Sequence, residues 1–175
     1  MSVNDASLDE IQTAIRDLSR SGRIREAEAL LDDIDDSGMK PSIVSYNRIM
    51  NSYAINGDVQ RSLLLLDRML EREIAPNTVT YATICKVLSV NGHVTLIHDL
   101  IKELRRNNVE LNLYFFATLI SACGRCEPPD QVTAEQAFDD LVKAGLKPQP
   151  VKRVLSKVLG AARASELVYQ AQLRR

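Results

Sequence analysis

Tryptophan is absent, histidine occurs twice and cysteine three times in the 175 residues. Three cysteines do not make a disulfide framework, and His93 and His98 fall at no short zinc-ligand spacing. Only seven glycines and six prolines are spread along the chain, which suits regular elements with brief connections. No run approaches the roughly 20 apolar residues that a membrane-spanning helix needs, so no membrane partner is expected. The stretch from Met1 to Glu10 carries acids and no arginine, and reads as neither a secretory signal nor a transit peptide. What remains is a chain with 45% hydrophobic and 26% charged residues, a balance that supports a packed core under a charged surface.

The formal net charge of -1 hides an asymmetry. Up to Ser42 ten acids face five bases, whereas from Lys143 onward eight bases face Glu166 alone. A basic segment attracts phosphates, although an evenly solvated helix surface is the commoner origin of such a run.

A period governs the rest. Gly22, Gly57 and Gly92 recur every 35 residues, as do Pro41 and Pro76, and Tyr46 and Tyr81, with Phe116 next in that series. Three independent residue types sharing one spacing mark an internal repeat. The units are 8–42, 43–77, 78–112 and 113–149, with an extension at 1–7 and a degenerate helical cap at 150–175. The fourth unit is two residues longer, and the turn around Glu127, Pro128, Pro129 and Asp130 is where an insertion does least damage. Within 43–77, Val44, Tyr46, Ile49, Met50 and Tyr53 form one helical apolar stripe, and Leu63, Leu66, Met69 and Leu70 a second. Asn56-Gly57-Asp58 turns the chain between them, and Ile74-Ala75-Pro76 stops the second helix. One hairpin leaves both stripes half uncovered, and stacked neighbours cover them. The expected fold is all-α, a right-handed α-solenoid of antiparallel helical hairpins.

Units such as Ile43-Val44-Ser45-Tyr46-Asn47 leading to Pro76-Asn77, and the endings Gly38-Met39-Lys40-Pro41 and Gly145-Leu146-Lys147-Pro148, resemble the pentatricopeptide repeat. The resemblance covers 8–149 and weakens toward Arg175. It implies a single-stranded RNA-binding protein of a mitochondrion or plastid, acting in RNA processing, stability or translation, with one base read per repeat. The family's readers are the fifth and last residues of a unit, which here are Asn47 with Asn77, Ala82 with Asn112, and Ala117 with Gln149. Unit 8–42 has Gln12 with Ser42. Val44 and Val79 match the aliphatic second residue that packs on the base. The phosphate-facing position holds Arg20, Ile55, Val90 and Arg125, so two of four lack the charge and weak or auxiliary binding is implied. The resemblance also leaves open a protein-binding scaffold in an organellar ribosome or RNA-processing complex. A homodimer remains a third alternative.

Other motifs read as structural. Tyr46, Tyr81 and Phe116 sit at core spacing rather than as base-stacking platforms. Cys123 and Cys126 form a CxxC without the strand–helix setting of a redox motif or four zinc ligands. Asp32, Asp33, Asp35 and Asp36 read as a solvated outer face. No phosphate loop, dinucleotide fingerprint or serine–histidine arrangement is present. The chain is expected to bind rather than catalyse, with no cofactor and no metal.

Overall fold

The computed structural model describes residues 7–106 and 109–173. The proposed extension, apart from Ser7, lies outside them, as do Arg174 and Arg175 of the basic run. The described residues contain ten α-helices and no strand. They are α1 (Leu8–Arg20), α2 (Ile24–Asp36), α3 (Ile43–Ile55), α4 (Val59–Glu71) and α5 (Thr78–Val90). Then come α6 (Val94–Arg106), α7 (Leu113–Cys123), α8 (Gln131–Lys143), α9 (Lys152–Leu159) and α10 (Ala161–Leu173). The chain forms two compact bodies, one up to Val87 and one from Leu88.

The hairpin is written into each unit by its caps. Ser7, Ser42, Asn77 and Asn112 stand one residue before α1, α3, α5 and α7, and each side-chain oxygen accepts a backbone N–H of the first turn. Those N–H groups have no partner inside the helix, so a short polar side chain there stabilises by about 1 kcal/mol. Ser7 and Glu10 complete a capping box. Asp58 and Asp130 do the same work for the second helices α4 and α8. In the fourth unit α7 ends two residues earlier than the other first helices, and a seven-residue turn leads to α8.

Glycine ends the second helices at Gly38 and Gly145 with φ of 75° and 76°. Glu73, 35 residues after Gly38, has a φ of 55° without glycine's freedom. A β-carbon in that region costs about 1–2 kcal/mol, part of which glycine's greater unfolded-state entropy offsets. Glu73→Gly is therefore expected to raise stability by about 0.5 kcal/mol, read as a higher urea midpoint with unchanged slope. A lower midpoint would contradict the strain.

In the first body α1 packs on α2 and α3, and α3 on α4, around Ile11, Ile15, Leu31, Ile34, Tyr46 and Met69. In the second, α7 packs on α6, α8 and α9, and α9 on α10, around Phe116, Leu119, Phe138, Leu141, Leu155 and Val168. Residues 150–173 of the expected cap thus form a helical hairpin turned at Gly160.

One expectation fails. Asp35 is not on a solvated face: it is 6% exposed, and its Oδ2 accepts from Arg68 Nε at 2.9 Å and Nη2 at 2.5 Å. Arg72 lies 3.6 Å away, and Arg68 also pairs with Asp32 at 2.5 Å. Asp32, Asp33 and Asp36 are exposed as expected. Arg68, 33 residues on, reaches Asp35 and distinguishes it from its neighbours, and the acid run itself carries no sign of that. A second link between these hairpins joins Tyr53 to Glu28 through its hydroxyl, with Arg61 donating to the same oxygen at 3.1 Å and lying over the ring.

Candidate nucleic-acid interface

Asn47 rises from the second turn of α3, and Asn77 caps α5, so the first-helix register and the cap bring the two amides together. Asn77 Oδ1 accepts from the backbone N–H of Val79 at 3.0 Å and of Thr80 at 3.1 Å. Asn47 Nδ2 donates to the same oxygen at 3.4 Å, and Thr80 Oγ1 donates to Asn47 Oδ1 at 2.8 Å. Thr80 Oγ1 in turn accepts from the Asn77 backbone N–H at 3.2 Å.

These bonds fix both amide orientations. A cap must present an acceptor to the helix, so Asn77 turns its oxygen inward. Its Nδ2, with two N–H donors, is left without a partner among the described residues on an exposed side chain. The pair therefore offers hydrogen-bond donors to solvent.

Val44 and Val79 are 52% and 57% exposed, each next to buried residues of its helix. Between α1 and α3 lies a groove of about 260 Å³ lined by Gln12, Arg16, Ser42, Val44 and Arg48 among others. Arg16 pairs with Asp17 at 3.0 Å, while Arg48 makes no ion pair among the described residues. Lys86 Nζ donates to Asn51 Oδ1 at 3.2 Å one repeat back. Arg48 and Lys86 are cations that the repeat's named positions overlook; their signal is a charge on a first helix flanked by core residues.

The other predicted positions are scattered. Ala82 is half-buried on α5. Asn112 caps α7, accepting from Tyr114 N at 2.9 Å. Ala117 is half-buried on α7. Gln149 lies in a single 3₁₀ turn and accepts from Gln172 at 3.4 Å instead of capping a long helix. Arg20 and Arg125 are exposed, at the end of α1 and in the turn after α7. Ile55 and Val90, at the same register, are 65% and 44% exposed.

The cysteines are set by burial. Cys85 and Cys123 are buried, and burial pushes both thiols up to about 12, helped at Cys123 by Asp130 and Cys126. Both thus stay protonated at neutral pH, the unreactive form. Among the described residues no three His, Cys, Asp or Glu side chains gather as a metal site.

Residues 29–91 match the family model described as a pentatricopeptide repeat domain, and residues 13–39 a second, described as a PPR repeat. No curated protein matches the sequence. Among solved structures, the chain is similar to the PPR domain of Arabidopsis thaliana protein-only RNase P 1 in complex with tRNA. The identity is 17% and the TM-score 0.76, over 95% of this chain and 87% of that one. It is also similar to PPR10, a maize protein, in complex with an 18-nt psaJ RNA element, at 22% identity and TM-score 0.77. There it covers 95% of this chain and only 26% of the other. Nuclear proteinaceous RNase P 2 of A. thaliana is similar at 17% identity and TM-score 0.71, over 95% and 37% of the two chains. The fold is that of an all-α helical-repeat solenoid.

Proposed function

Since this chain is a pentatricopeptide repeat protein, we propose that it binds single-stranded RNA, reading a base through Asn47 and Asn77 with Val44 and Val79 against the ring. The observation that carries this is the oriented amide pair, whose free donors suit a base edge presenting carbonyl oxygens, as a pyrimidine does. The exposed valines supply apolar faces for the ring. Reading is sparse, because Ala82 and Ala117 bring no polar group to their positions. The binding is accordingly auxiliary, within RNA metabolism of a mitochondrion or plastid, and the chain's role is recognition rather than catalysis. RNA-bound relatives at 17% and 22% identity support this reading.

The test is fluorescence polarisation with short RNAs that vary one base at a time. Asn77→Ser keeps a competent cap yet removes the free amide donors, and Asn47→Ala removes the partner. Each is expected to weaken binding of the preferred RNA by roughly 10-fold, within the range of about 1–3 kcal/mol for a base-edge pair. Binding of mismatched RNA should hardly change. Equal affinity of wild type and both variants for every RNA would remove the reading.

A second reading, a protein-binding subunit of an organellar ribosome or RNA-processing complex, is favoured by one observation. Ile55 and Val90 expose apolar surface where a phosphate contact calls for a cation.

A further inference from the structure

Several cations of this protein are paired with carboxylates where they stand. Arg61 pairs with Asp58 at 3.5 Å, Arg105 with Asp140 at 3.1 Å and Arg163 with Glu135 at 2.8 Å. The segment from Lys143 to Lys157 departs from this pattern. Lys143, Lys147, Lys152, Arg153 and Lys157 lie in a stretch that holds no acid until Glu166. None of the five makes an ion pair among the described residues, and all but the half-buried Lys152 are exposed.

Their placement also works against the helix that carries them. Lys152 and Arg153 occupy the first turn of α9, which has no acid and no side-chain cap. A helix N-terminus is already the positive end of the macrodipole, so cations there repel it. Fold stability gives no reason for that arrangement; an anionic partner does. Arg153 and Lys157 stand one turn apart on the side of α9 opposite Val151, Leu155 and Val158, which are buried. A β-carbon on Gly124 would lie 3.1 Å from Val158 Cγ2, so the turn that carries the exposed Arg125 approaches α9.

We propose that this last hairpin is a sequence-independent anchor for the RNA backbone, with Lys147, Arg153 and Lys157, joined by Arg125, contacting successive phosphates. The inference rests on the RNA-binding reading above but not on the amide pair. It divides the labour: the first body selects a base, and the second supplies charge that Ile55 and Val90 withhold. Phosphate contacts release condensed counterions, so they are recognised by salt dependence rather than by sequence.

The experiment compares the full chain with a triple variant, Lys147→Gln, Arg153→Gln and Lys157→Gln, by polarisation from low to moderate salt. The probes are the preferred RNA and a homopolymer. Three lost contacts should lower the slope of log affinity against log salt by about 2, since each contributes about 0.7 on a single strand. Affinity for both RNAs should fall by the same factor, at least about 10-fold at low salt. The melting temperature should hold or rise, because the three side chains are exposed and their mutual repulsion is relieved. An unchanged slope and affinity, with wild type binding RNA, overturns the anchor and leaves the base-reading proposal standing. A loss confined to the preferred RNA overturns it too, since that is base readout. Wild type that binds no RNA at any salt removes both. Sedimentation of the same pair covers the remaining partner. If the variant changes from oligomer to monomer with RNA affinity intact, the anchor is overturned in favour of the acidic first hairpin of a second copy.

Discussion

Replacing Arg68 with methionine is expected to cost about 3 kcal/mol of stability, whereas Asp35→Asn should cost about 1 kcal/mol. The two halves of one ion pair differ because their surroundings differ. Asp35 is buried, its Oδ1 already lacks a hydrogen-bond partner, and without Arg68 its Oδ2 retains only Arg72 at 3.6 Å. A buried carboxylate left that exposed to its own desolvation penalty is the expensive outcome. Arg68 without the Asp35 charge keeps Asp32 at 2.5 Å and partial contact with water. Methionine keeps an unbranched apolar stem at this position, so the measured loss belongs to the charge. Urea denaturation of the three proteins is the measurement. Equal losses for the two variants would mean that the pair behaves as an ordinary surface bridge, worth about 1 kcal/mol or less.

The same cluster shows where reading the sequence stops. The all-α repeat was legible because glycine, proline and aromatic residues return together every 35 positions, a signal that survives ignorance of every contact. Asp35 was not legible, since four aspartates within five positions carry identical local chemistry. Only the approach of Arg68, 33 residues away, distinguishes one of them. The interface divides in the same way. The family resemblance, applied in the repeat register, implied that Asn47 and Asn77 belong to one site. The amide orientations come from a further demand, the need of α5 for a cap, which Asn77 meets as Ser7, Ser42 and Asn112 do for α1, α3 and α7. The cap and the proposed reader are one residue, so the requirement of the fold sets which atoms face the RNA. The last hairpin was obscured for another reason. The longer turn before Gln131 shifts the period by two, and residues 150–175 then no longer align on the glycine and proline markers, although Gly160 turns them with a φ of 85°.

Phe116→Ala is expected to be the most damaging single change in the second body, at about 3–5 kcal/mol, the usual cost of emptying a buried aromatic site. The ring is 1% exposed on α7, and Arg105, held by Asp140 at 3.1 Å, has its guanidinium carbon 5.5 Å from the ring centroid. The substitution therefore leaves a cavity and removes a cation–π contact, while the exposed Arg105–Asp140 bridge that survives contributes little. Phe116→Leu refills most of the volume and is expected to cost only about 1–1.5 kcal/mol. This second variant decides between two roles for an aromatic in an RNA-binding repeat. A base-stacking platform loses about 1–3 kcal/mol of binding when its ring is removed, however well the protein folds. A core residue does not, because nothing outside the protein touches it. Phe116→Leu should bind RNA as wild type does while melting a few degrees lower, read by polarisation and thermal denaturation on the same preparation. Weakened RNA binding by a Leu variant that retains its stability would mean that the ring reaches the strand, which a side chain this enclosed can do only if α7 moves.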